Sequence, residues 1–286
     1  MTMQMAESRQ FAEARSRLRS GSLGNWGLRG ATMTYLGVMV ALPVLVISAE
    51  GLRGGWDIFW TSITRPVALS AIWLSLWTAA VMAVINVIMG TLTAYVFFAY
   101  RFPGKRVLDS LIDLPFAIPT LVTGVMLVLL YGPQTVVGGF FQREMGTRIL
   151  YAPPGIVLAL LFIGYPFVIR AVQPVLLNLD IHQEEAAHTL GASGWITFRR
   201  VVLPAILPAM TTGGMLSFAR ALGEFGSIVI VAGNIPMRTQ TAAVYIYGQV
   251  EGGNMPSASS VSLVMLAVAL TTTLTANALL RRWHHA

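Results

Sequence analysis

The sequence predicts an all-α membrane protein with six transmembrane helices, and three observations carry that reading. Only 11% of the 286 residues are charged while 55% are hydrophobic, against about 25% charged in a soluble domain. The charges are placed so that uncharged runs reach membrane-spanning length. None of those runs alternates with the period of two that a barrel strand needs, so neither a soluble enzyme nor an outer-membrane barrel fits.

Residues 1–30 hold five arginines, Arg9, Arg15, Arg17, Arg19 and Arg29. They are expected to form a cytoplasmic arm, either a short helix on the membrane surface or an unstructured segment. The charged stretch is too long for a signal peptide and Ile47-Ser48-Ala49 is a poor cleavage site, so a retained first helix is expected. A span needs about 20 apolar residues at about 1.5 Å rise. Runs without charge occupy 30–49, 66–100, 114–142, 149–169 and 252–280, and 201–237 is interrupted only by Arg220 and Glu224. The spans are placed at 31–49, 70–99, 114–131, 154–173, 205–230 and 259–280 within the six-helix domain 31–286. With the N-terminus inside, 13 Lys and Arg residues fall in the cytoplasm and five outside. The positive-inside rule therefore puts both termini in the cytoplasm. The net charge of +7 belongs to loops facing anionic lipid rather than to a nucleic-acid partner.

Pro115 and Pro119, at the start of the third span, point to broken helix lining a cavity. Pro166 is expected to kink the fourth. Gly213, Gly214, Ser217, Ala219, Gly223 and Gly226 mark the fifth as a helix packed among others rather than facing lipid. There is no internal repeat of the kind an inverted-repeat secondary transporter shows. With no cysteine, disulfides, thiolate nucleophiles and cysteine metal sites are excluded. None of the histidines (182, 188, 284 and 285) is grouped with acids at a ligand spacing deep in the membrane. No metal and no cofactor is expected.

The cytoplasmic loop 180–204 is the most informative segment. Residues 181–190 read as a short helix with acids in its first turn, where the helix dipole favours them. Gly191 suits the left-handed position after its end. A second short amphipathic piece follows, with Trp195, Phe198 and Val202 spaced for one face, and Pro204 opens the fifth span. Two helices set at an angle across a glycine make either a docking knob or a merely structured loop; the physics leaves both open.

A resemblance bears on that choice. Glu185-Ala186-Ala187, three residues, Gly191, nine residues, Val201, one residue, Leu203-Pro204 resembles the EAA loop of bacterial ABC importer permeases, with Val201 where isoleucine is usual. Arg101-Phe102-Pro103-Gly104, Leu114 to Thr120, Pro166 to Arg170, Val172 to Leu176 and Leu222-Gly223-Glu224-Phe225-Gly226 look like the sulfate, molybdate and tungstate branch, closest to the T-type subunit of sulfate/thiosulfate importers. The resemblance covers about residues 65–280 and not the arm. It implies the type I ABC importer permease fold in the inner membrane, importing an oxyanion. It also implies a W-type second permease subunit, a dimer of cytoplasmic ATPase subunits and a sulfate-binding protein as partners. Glu184, Glu185, Ala186, Ala187, Gly191, Ala192, Trp195 and Phe198 become the candidate coupling surface. No Gly-Lys-Ser or Gly-Lys-Thr phosphate loop occurs, so hydrolysis belongs to another subunit and the chain is not an enzyme. A molybdate or tungstate permease and an ATPase-independent channel or secondary transporter are the competing readings.

Arg220 and Glu224, four apart, are expected on one face of the fifth span. Ions in lipid are costly, so both should face the bundle interior or a water-filled path. They serve either as a packing pair or as a gate presenting positive potential to a passing dianion. Thr120, Thr123 and Ser217 are hydroxyls that either line that path or join helices. Arg170 is expected to snorkel to the interface.

Overall fold

The computed structural model describes residues 22–283; most of the expected arm, His284 and His285 lie outside the described residues. Every regular element among these residues is helical. The chain divides into two compact units at Glu50–Gly51. In the first, α1 (Ser22–Leu36) runs through a π turn at Gly37–Ala41 into α2 (Leu42–Leu52). Trp26–Leu52 thus forms one 27-residue apolar helix, longer at both ends than the charge-free run.

In the second unit, a short helix α3 (Gly55–Thr64) precedes α4 (Pro66–Ala99). Pro66 sits in the first turn of α4, where its missing N–H leaves no bond unmade. A loop then carries α5 (Lys105–Ile112) and the single turn α6 (Leu114–Ala117). The third expected span is not one straight helix. Ile118 is extended and Pro119 caps α7 (Thr120–Tyr131), so the helix is broken at Pro119, while Pro115 lies in the first turn of α6. At 12 residues α7 covers about 18 Å, short of a bilayer core of about 30 Å. Gly132 and Pro133 end it, and α8 (Val136–Glu144) continues at 59°.

Helix α9 (Pro153–Leu177) runs unbroken through Pro166 and Pro174. After it come α10 (Ile181–Thr189) and α11 (Gly194–Thr197). The second piece of the loop is not separate from the fifth span. A π turn at Phe198–Val202, closed by the Leu203 N–H on the Phe198 carbonyl, joins α11 to α12 (Leu203–Leu222). The wide turn absorbs Pro204, which has no N–H for α-type pairing. The long helix ends at Gly223, and α13 (Gly226–Ala232), α14 (Ala242–Glu251) and α15 (Met255–Trp283) complete the unit.

Helix α9 packs on both α4 and α12, and small residues set how closely. A Cβ on Gly213 would stand 2.9 Å from the Val168 Cα, and one on Gly90 would stand 2.9 Å from the Val168 Cβ. At the three-helix junction the Ser217 hydroxyl donates to the Gly164 carbonyl at 3.1 Å, and Asn86 Nδ2 donates to Met82 Sδ at 2.9 Å. The Ser75 hydroxyl accepts the Ala242 N–H at 2.8 Å and so satisfies the first turn of α14 from another helix. A separate apolar cluster, including Phe97, Ile112, Val172, Leu176 and Val202, joins the ends of α4, α9 and α12 to the two loops there.

Candidate functional site

Two regions carry candidate residues: the loop from Asp180 to Val202, and the break between α12 and α13.

The loop is built from its caps. The Asp180 carboxylate accepts the His182 N–H at 3.0 Å, and His182 Nδ1 meets Glu185 Oε2 at 3.2 Å. At the other end Gly191 has φ +80°, a left-handed conformation in which glycine carries no side-chain penalty. The Gly191 N–H donates to His188 O and the Ala192 N–H to Ala187 O, both at 3.0 Å. These two bonds form a Schellman motif, so the glycine ends the helix with the Ala187 and His188 carbonyls satisfied. Beyond it the expected apolar face is real. Trp195 stacks on Phe198 at 5.7 Å, Phe198 meets the Tyr95 ring edge-on at 5.2 Å, and Val202 is buried. That face anchors the loop to α4.

Much of the loop is nevertheless open. Leu190 is 88% exposed, Trp195 69% and Ile196 42%, while Glu185, Ala186 and Gly191 are exposed and Glu184, Ala187, Ala192 and Phe198 are half-buried. The turn is therefore edged by an exposed apolar patch. The sequence pattern did not single out Leu190 and Ile196; without an amphipathic period in 181–190, nothing marked which side was free.

In the second region Arg220 Nη1 lies 2.9 Å from Glu224 Oε2, the expected pair. Its frame differs from the expectation. Glu224 sits in the break after Leu222 rather than on a continuous helix, and its other oxygen accepts the Ser227 N–H and Oγ–H, both at 3.1 Å. The carboxylate is 2% exposed, so it caps the start of α13 from inside. The Arg220 side chain keeps 39% exposure. Thr123 is buried, and Thr120 is half-buried beside Gly226. Ser217 is fully buried and spends its proton on Gly164.

Arg170 finds its partners within the protein. Its Nε and Nη2 grip the two Asp113 oxygens at 2.8 and 2.7 Å, and Nη1 reaches Asp109 Oδ1 at 3.0 Å and Gln173 Oε1 at 2.6 Å. A fifth bond runs from Nη2 to the Asp109 carbonyl at 2.9 Å. Two carboxylates four apart in a loop otherwise rich in cations were the available signal. They hold the arginine at the protein surface more firmly than water would.

A bundle of apolar helices with an exposed, rigidly capped turn at one end has the build of a transporter's membrane subunit. A family model described as "Binding-protein-dependent transport system inner membrane component" matches residues 86–285. The chain belongs to that family. The probable sulfate transport system permease protein cysT of Chlorokybus atmophyticus is 41% identical over 256 residues, covering 88% of this chain and 89% of that one. The sulfate transport system permease protein of Escherichia coli K12 is 37% identical over 257 residues, covering 89% and 91%. Among solved structures, a bacterial ABC transporter importing the acidic polysaccharide alginate aligns with TM-score 0.74 at 19% identity over 93% of this chain and 99% of that one. The MetNI methionine ABC transporter, inward-facing, aligns at 0.57 and 16% over 75% and 94%. These place the fold among ABC importer permeases.

Proposed function

We propose that the chain is one transmembrane subunit of an ATP-driven importer of sulfate, with thiosulfate as the related ion. The observation that carries this is the near end-to-end match, at 37–41% identity, to sulfate transport permeases. One six-helix chain supplies half a pathway, so a W-type permease completes it. Two cytoplasmic ATPase subunits drive it and a sulfate-binding protein delivers the ion. Both termini lie in the cytoplasm on the count of 13 basic residues against five.

Helix α10 with Gly191, Leu190, Trp195 and Ile196 enters a groove on the ATPase. Closure of that subunit then moves α11 and α12 as one piece, because the π turn makes them continuous. The same helix carries Arg220 in its last turn, so motion at the docking end reaches the ion pair directly. Arg220 presents its half-open guanidinium to the passing dianion, and Glu224, held from behind by Ser227, fixes its position. Thr120 and Thr123 stand beside the path, with Ser217 keeping the helices in register.

The test is reconstitution of the full importer in vesicles, with labelled sulfate and excess unlabelled thiosulfate, molybdate or tungstate as competitors. ATP-dependent sulfate uptake blocked by thiosulfate is expected. Uptake displaced by molybdate or tungstate alone would move the chain to the neighbouring branch, and uptake without ATP would refute coupled import.

A further inference from the structure

A cleft of about 680 Å³ lies between the end of α4 and α5, walled by Phe97 and Phe102 and edged by Arg101, Lys105 and Arg106. Its lining charges are three cations and the Asp109 carboxylate, a net +2. Asp109 is already engaged by Arg170 at 3.0 Å and by Gln173 at 3.4 Å. None of the three cations has a salt-bridge partner among the described residues, and Lys105 Nζ bonds only the Tyr100 carbonyl, at 3.2 Å. The cleft therefore holds unneutralised positive charge over a floor whose acid is spoken for.

Its surroundings indicate the ligand. Phe97 and Phe102 belong to the apolar cluster that also contains Phe198 of the docking loop, so the cleft opens at that end of the bundle. Directly after the cations, α5 exposes Val107 (64%), Leu108 (47%) and Leu111 (46%). Cations beside an exposed apolar helix flank suit a phospholipid: phosphate on the charges, acyl chains along the flank. A free ion would use the first feature and leave the second without a role. Gly104, at φ +80°, turns the chain so that Arg101 and Lys105 reach the same space.

The geometry points to a binding site for the phosphate of an anionic phospholipid, formed by Arg101, Lys105 and Arg106. Lipid bound there ties the first cytoplasmic-end loop to the membrane next to the docking loop. The site needs no uptake to be detected, so its failure and that of the transport reading are separable.

The complete importer, incorporated in phosphatidylglycerol–phosphatidylcholine nanodiscs and then exchanged into detergent, is examined by native mass spectrometry for retained lipid. Wild type is expected to keep phosphatidylglycerol selectively. The variant R101Q/K105Q/R106Q should lose it by about tenfold or more, the single Arg106→Gln should lose part of it, and R199Q/R200Q, with cations removed elsewhere at that end, should keep it. Equal subunit recovery and elution volume verify assembly; if the triple variant does not assemble, Arg106→Gln decides. Equal retention in wild type and cleft variants overturns the proposal. So does saturable binding of inorganic sulfate or phosphate to delipidated importer that the cleft variants lose while lipid retention stays unchanged, since the cleft would then be an ion site.

Discussion

Arg170 holds Asp113 through two parallel hydrogen bonds, Nε to Oδ1 at 2.8 Å and Nη2 to Oδ2 at 2.7 Å. The pair ties α9 to the loop that carries α5 and α6. Both side chains are partly exposed, 32% and 50%, which limits the stability they supply to about 1 kcal/mol. Geometry matters more than charge, because one planar guanidinium bridges Asp109, Asp113 and Gln173 together. Arg170→Lys keeps the charge and loses the fork. It should behave like Arg170→Gln, lowering the thermal midpoint of the purified importer by a few degrees and speeding proteolysis within residues 100–113. Wild-type values for Arg170→Lys would show that a point charge suffices.

Gly191 offers a cleaner test of backbone conformation. A Cβ there would meet nothing within 4 Å, so any cost comes from φ +80° alone. Gly191→Ala should cost about 1 kcal/mol in loop stability, Gly191→Val more, and Gly191→Asn little, since asparagine tolerates the left-handed region. Co-purification of the ATPase subunit should fall in that order. Equal recovery with valine and asparagine would mean that the reversal of the chain at this point is not what the ATPase reads.

These two positions also show what a sequence can and cannot carry. Gly191 was legible because a left-handed cap has a residue-type signature within five residues. The charge-free runs were legible because hydrocarbon tolerates so few ions. The grip on Arg170 was not legible, since its partners Asp109 and Asp113 are some 60 positions away in sequence and come within reach only through the fold. The third span was legible in part: Pro119 announced the break at its start and α7 ends at Tyr131 as expected, but hydropathy carries no sign of the 59° turn into α8 after Gly132-Pro133. The join between α11 and α12 was hidden by Pro204, whose usual meaning is a helix start and which here follows a π turn.

Close packing of α9 on α12 rests on Gly213, where an added Cβ would stand 2.9 Å from the Val168 Cα and 3.0 Å from the Ala171 Cβ. Backbone cannot step aside as a side-chain tip can, so the helices must separate. Gly213→Ala should destabilise the subunit by about 1–3 kcal/mol. The matched control is Gly248→Ala on α14, where nothing lies within 4 Å. Helix propensity alone should make that change neutral or favourable by up to about 1 kcal/mol. Assembly yield and thermal midpoint should therefore fall for Gly213→Ala and hold or rise for Gly248→Ala, and a parallel fall in both variants would contradict the packing assignment.

The last expectation concerns the ion pair at the break. Glu224 is 2% exposed and Arg220 39%, so the two losses differ. Arg220→Ala leaves a buried carboxylate with only the neutral Ser227 donors, which should cost about 2–3 kcal/mol. Glu224→Gln removes the charge yet keeps an acceptor for Ser227, and should cost less. In the double variant R220A/E224Q no charge is stranded, so assembly should recover most of what Arg220→Ala loses, giving a coupling energy of about 1 kcal/mol or more. Uptake separates packing from transport. If Arg220 offers its exposed guanidinium to the passing dianion, the double variant assembles normally and still carries sulfate poorly. Recovery of both assembly and uptake would reduce the pair to a packing device, and strictly additive losses would show that the two residues act independently.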